Sequence, residues 1–319
     1  MNLIPGRTCP TAYYYGASAL AKAQTTRVET LYAVGGLYGN PFALAAVQAM
    51  AEVETEPVTI CFNGDFNWFN VDDESFLTVN ETVLRHQAIR GNVEFEFSGD
   101  ESLAGCGCSY PEAVNQDFVD RSNRIHSRLK ITAKKYPEII ARLASLPLFA
   151  RYEIGEMKIG VVHGDADSLA GWLFDTTKLG ESESENKIAA AFGEANVDIF
   201  AGAHTCLPAL RRFTLTQGQG IVANNGAAGM PNFRGVRSGL LTRISVHASP
   251  HKPLYGDRLG HIFIDALPIE YDDARWRAHF LSNWPAGSDA HTSYFARIAD
   301  GPEYSMTEAL HERDSPFCR

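Results

Sequence analysis

The chain has 319 residues, 45% of them apolar, and a formal net charge of −10. That length suits one large α/β domain with extensions, and the apolar share supplies a substantial core and excludes wholesale disorder. So acidic a surface repels nucleic acid and anionic membranes, so neither is expected as a partner.

The N-terminal stretch MNLIPGRTCPTAYYYGASALAKAQ lacks the continuous apolar segment of a signal peptide, and no later run approaches a membrane span. A cytoplasmic protein is expected. The run Tyr13, Tyr14, Tyr15 packs an N-terminal arm onto the body or lines a site. ETLYAVGG (29–36) is nearly all apolar, as a strand buried on both faces should be. Asn40 and Pro41 then read as N-cap and first residue of a helix through FALAAVQAMAEVE. PVTICFNG (57–64) is a second buried strand, followed by a helix around DESFLTVNETVLRHQA. NVEFEFS (92–98) is strand-like, and two helical stretches divided at Pro137 follow, with Phe118, Ile125 and Leu129 on one face of the first.

FARYEIGEMKIGVVHG (149–164) reads as a hairpin turning at Gly155, whose second strand runs into His163. KIAAAFGEANVDIFAGAH is helix, turn and strand, and 210–247 adds the strands LRRFTLT, GIVANNG and LLTRISVH. Early alternation of strand and helix with strands clustering later points to α/β layers with some antiparallel pairing.

The six cysteines, Cys9, Cys61, Cys106, Cys108, Cys206 and Cys318, lack the spacing of a disulfide scaffold. Cys61 reads as a small core residue. The AGCGCSYP segment brings two thiols together, either as plain loop residues or as metal ligands, and Cys-x-Cys alone does not decide.

Four polar residues stand at strand ends: Asp65 after TICFNG, Asn92 after IRG, His163 after KIGVV and His204 after DIFAGA. In open α/β sheets the carboxyl ends of strands share one edge, where ligands bind. A carboxylate, an amide carbonyl and two imidazoles make a first shell for a borderline divalent ion such as Mn, Fe or Zn. The four are expected to converge on one point, while a lone residue of this kind would read as a turn or cap.

The ordered fragments GLYGN (36–40), NGD (63–65), RGNVE (90–94), VVHGD (161–165) and AHTCLP (203–208) resemble the calcineurin-like metallophosphoesterases. That family runs D-x-H-G-N, G-D, G-N-H-D/E, a strand-end His and G-H-x-H. NNGAAGMP (224–231) stands where its small bacterial branch has N-P-G-S-x-G. The resemblance covers roughly residues 28–247, leaving 1–27 as an N-terminal arm and 248–319 as an extension packed on the same domain.

The fold this resemblance implies is α/β: two mixed β-sheets in a sandwich flanked by helices, four layers with a metal centre at one edge. It implies that Asp65 bridges the family's two metals and that Asn92, His163 and His204 complete the second, with Asp65 and Asn92 also serving catalysis. The first metal's own ligands are replaced by Gly36, Tyr38 and Cys206, and Val93 stands where the family has the His that assists the leaving group. Tyr38 and Cys206 could ligate only after losing a proton.

The implied function is hydrolysis of a small phosphate mono- or diester with a divalent metal, one per chain. The alternative is a non-catalytic descendant that binds a metal, ligand or partner. As a dinucleotide loop, VGGLYGN fails at its first glycine position, where Val34 stands. Arg90, Arg234 and Arg237 either neutralise a phosphate or lie on the solvated surface, and His247, His251 and His261 read as structural or exposed.

Overall fold

A computed structural model describes residues 4–99 and 103–310, so Cys318 lies outside the described residues. Short runs rich in β-branched and aromatic residues, most of them closed by Gly, Asn or a charge, form the strands. In chain order these are β1 (Thr25–Arg27), β2 (Thr30–Val34), β3 (Val58–Asn63), β4 (Gln87–Ile89), β5 (Phe149–Ile154) and β6 (Met157–Val162). They continue with β7 (Ile199–Gly202), β8 (Pro208–Leu215), β9 (Gly218–Asn225), β10 (Gly239–Ser245), β11 (Tyr255–Leu259) and β12 (Ile262–Ile269).

The strands form two six-stranded mixed sheets, ordered β1-β5-β6-β7-β9-β8 and β11-β12-β10-β2-β3-β4. β2, β3 and β4 run parallel, as do β6, β7 and β9. The strand period of two divides β2 between two layers. Leu31 and Ala33 face the other sheet, meeting Ile159, Val161, Ile199 and Ala201, while Tyr32 and Val34 face outward. The outer faces are covered by helices, Pro41–Val53, Asp73–Val83 and Gln116–Ala133 on one side and Ser182–Ala195 on the other. This is the four-layer sandwich expected.

Asn40 caps its helix as its sequence position implies, its Oδ1 accepting the N–H groups of Phe42 and Ala43 at 3.0 Å each. Asn225, at the end of β9, ties the two sheets together. Its Oδ1 accepts the Gly35 N–H at 3.2 Å, and its Nδ2 donates to the carbonyls of Gly35 and Leu240 at 3.0 Å each. No helix among the described residues is long and apolar enough to cross a membrane.

Three local readings need correction. NVEFEFS is not a strand: Asn92–Phe95 is a helical turn, closed because the Glu94 carboxylate reaches back to the Gly91 N–H at 3.1 Å. The helix after Asp72 ends at Val83, and Gln87–Ile89 at its apparent tail is β4. The sequence reading gave no strands after residue 247, yet β11 and β12 form an antiparallel pair that extends the β10 edge of the sheet.

Candidate metal centre

Each of the four polar residues leaves the carboxyl end of a parallel strand. Asp65 follows β3, Asn92 follows β4, His163 follows β6 directly, and His204 follows β7. Between β3 and Asp65 the chain must turn sharply, and Gly64 does so with φ +93°. A Cβ there would stand 2.5 Å from His163 Nδ1 and 2.6 Å from the Gly91 backbone, so only glycine lets the three loops meet. Glu94 fixes the next residue, accepting the Asp65 N–H at 2.9 Å.

The structure brings all four together. His163 Nε2 lies 3.0 Å from Asn92 Oδ1, 3.2 Å from His204 Nδ1 and 3.4 Å from Asp65 Oδ1. The surrounding carbonyls dictate where the imidazole protons sit. His163 Nδ1 faces the Asn63 carbonyl at 2.8 Å and His204 Nε2 faces the Cys108 carbonyl at 3.1 Å. A carbonyl only accepts, so both of these nitrogens carry the proton, and in the neutral rings His163 Nε2 and His204 Nδ1 are bare. Asn92 spends its amide on the Cys106 carbonyl at 2.9 Å, which turns Oδ1 inward.

Four lone-pair atoms therefore face one another in a buried space, an arrangement that a cation at its centre would stabilise. Ligands about 2.0–2.2 Å from one ion stand roughly 3.0–3.5 Å from each other, so the donor set and its spacing fit a borderline divalent metal. Without metal, one proton serves. Burial would lower the His163 pKa, but the Asp65 carboxylate beside it holds it above the ordinary histidine value. Burial and the charge of His163 push His204 down to about 3. Burial works to raise Asp65, yet His163 and then His204 keep it below the usual carboxylate range.

Backbone strain marks the same place. Among the described residues five non-glycines have positive φ, and Tyr38, Asp65, Ser109 and Cys206 are at or next to the centre, while Asn196 ends a helix. Each such residue costs roughly 1–3 kcal/mol and persists only where its surroundings hold it. A cavity of about 40 Å³ adjoins the centre, lined by Asp65 and His204 together with Trp68, Tyr110, Trp172 and Tyr294.

Two solved structures match this chain across most of their length. A metallophosphoesterase from Sphaerobacter thermophilus is 17% identical, covering 88% of this chain and 100% of its own, with a TM-score of 0.53. A hypothetical protein from Pyrococcus horikoshii OT3 is 16% identical, covering 86% and 99%, with a TM-score of 0.55. This is the metallophosphoesterase fold. No family model and no curated protein matches the sequence.

Gly36, Tyr38 and Cys206, which the resemblance sets in place of the family's first-metal ligands, pack against one another. The Tyr38 ring folds back over Gly36, so that a Cβ on Gly36 would lie 2.9 Å from Tyr38 Cζ and Oη. The Tyr38 hydroxyl is 2.8 Å from Cys206 Sγ. Burial pushes the Tyr38 pKa well above the ordinary phenol value and raises that of the Cys206 thiol. Both groups are therefore protonated and paired with each other, so the first-metal ligand set does not fit a second ion. Among the described residues, Asp65, His163 and His204 form the one cluster of His, Cys, Asp and Glu able to hold a metal, and neither Cys106 nor Cys108 belongs to it.

Arg90, Arg234 and Arg237 do not line the cavity. Arg90 lies over the Phe95 ring, and Arg234 and Arg237 pair with Glu303 and Asp273. The Tyr13 and Tyr15 hydroxyls are taken by Glu96 and by the Asp165 carbonyl, at 2.6 and 2.5 Å. Sequence reasoning missed the role of the Cys106–Cys108 backbone, whose carbonyls orient Asn92 and His204. It also missed Trp68 and Trp172, although each stands in the loop just after a strand-end ligand.

Proposed function

We propose that the chain is a metal-dependent phosphoester hydrolase using one divalent ion, Mn, Fe or Zn, held by Asp65, Asn92, His163 and His204. The observation that carries this reading is the convergence of four lone-pair atoms, three of them on side chains whose protons are committed to backbone carbonyls. The ion, when bound, supplies Lewis-acid polarisation of a phosphoryl oxygen.

The chain's own residues orient and exclude. Asp65 is fixed by the Val93 N–H at 3.2 Å and, through its own N–H, by Glu94. Val93 cannot move a proton, and Tyr38 and Cys206 hold theirs too tightly to act as acids near neutral pH. The leaving oxygen therefore departs unassisted, so turnover is slow and aryl esters outrun alkyl esters. A positioned acid contributes typically about 10²–10⁴-fold.

A second reading, a binding protein without catalysis, is favoured by one observation: the Tyr38 ring and Cys206 fill the space beside Asp65. A screen of mono- and diesters with Mn, Fe and Zn separates the two. Turnover above the Asp65→Ala background, raised further for alkyl esters by Val93→His, supports the hydrolase. Turnover equal to that background assigns the site to binding.

A further inference from the structure

The cavity beside the four residues has a lining that phosphate chemistry does not call for. Trp68, Tyr110, Trp172 and Tyr294 line it, and among its lining residues there is no Lys or Arg. The nearby Arg297 guanidinium is spent on the carbonyls of Pro231 and Cys206, at 3.0 and 2.7 Å. Two of the rings have their polar ends spent as well. The Tyr110 hydroxyl bonds Ser122 Oγ at 3.2 Å, and Trp172 Nε1 donates to the Cys108 carbonyl at 3.1 Å. These rings are left to offer carbon and π-surface.

Their planes are inclined rather than parallel. Tyr110 and Trp172 meet at 49°, Trp172 and His204 at 76°, and Trp68 and Tyr294 at 80°. The rings pack on one another at centroid distances of 5.4–6.3 Å and together form an aromatic wall, whose quadrupoles attract a compact cation. The cavity, about 40 Å³, has room for a small group. Asp65 is the one carboxylate among the lining residues, so an ammonium there would meet a counter-charge as well as ring faces.

We propose that this cavity takes a small ammonium group, so that the ligand is the phosphoester of an amino alcohol rather than a plain alkyl or nucleotide ester. The proposal rests on the reading above only in that the anion is held at the metal centre. Phosphoethanolamine and propyl phosphate have the same length and differ in ending in ammonium or methyl. Titrated into the metal-loaded protein, phosphoethanolamine should bind about tenfold tighter. Trp172→Leu should remove most of that preference while changing propyl phosphate affinity less. Equal or tighter binding of propyl phosphate to wild type overturns the proposal, whether or not the variant folds.

Ethanolamine against propanol, read by tryptophan fluorescence, repeats the comparison without phosphate. Ethanolamine preference with no binding of either ester upholds the ammonium site and removes the phosphate reading. Equal binding of both esters does the reverse, and no binding in either pair removes both.

Discussion

His163 Nε2 and His204 Nδ1 face each other at 3.2 Å, and neither nitrogen carries a proton when its ring is neutral. The backbone carbonyls of Asn63 and Cys108 impose this by claiming the opposite nitrogens. The facing lone pairs repel, and either a shared proton or a metal would relieve that repulsion.

Metal and proton therefore compete. Metal affinity should rise with pH through the His163 titration, which Asp65 holds above the ordinary histidine range, and level off beyond it. Below that point affinity should fall about tenfold per pH unit, with about one proton released per ion bound. Calorimetry in two buffers of different ionisation enthalpy measures the release. In the metal-free chain the His163 shift contributes stability that is fully present below the unfolded histidine pKa. That contribution is lost as pH rises through the folded value.

On the proposed one-ion reading, the Tyr38–Cys206 pair keeps a second ion out. Gly36→Asp alone should bind no second ion, because the Tyr38 ring occupies its space and φ is +65°. The strain should cost about 1–2 kcal/mol, seen as a lower denaturation midpoint. Adding Tyr38→His and Cys206→His clears the ring and supplies two imidazoles beside Asp65, so the triple variant should bind a second ion. Stoichiometry by elemental analysis of the folded variant checks this.

Much of this was legible in sequence because strand ends announce themselves. Apolar runs ending in Gly-Asp, Val-His and Gly-Ala-His located three of the four residues on parallel strands. Asn92 was singled out as the polar residue opening the segment after Ile-Arg-Gly, although that segment was misread as strand. Alternating Val, Phe and Phe gave a strand period, and the Glu94-to-Gly91 contact that turns the chain there is tertiary in purpose, since it also holds Asp65. The aromatic cavity was illegible because its rings come from places far apart in sequence, Trp68, Tyr110 and Trp172 in loops and Tyr294 in the helix Asp289–Asp300. The Cys-x-Cys segment drew attention through its thiols, yet its carbonyls orient the site.

The frame behind the centre depends on a buried ion pair. Arg243 on β10 is fully buried and bonds Glu54 twice, at 2.6 and 2.9 Å, with Tyr32 donating to the same carboxylate at 2.7 Å. Glu54→Ala leaves a guanidinium buried with only Asp265 as a distant counter-charge, at 3.4 Å. The loss should be about 3–5 kcal/mol by denaturant unfolding. Glu54→Gln, which keeps a hydrogen-bond acceptor, should lose less.

The central claim is that Asp65, Asn92, His163 and His204 hold a metal, and metal content tests it most directly. Elemental analysis of protein purified without added ions should find about one Mn, Fe or Zn per wild-type chain. Asp65→Ala and His204→Ala, folded by circular dichroism, should carry little. Equal metal content in all three proteins would contradict the account.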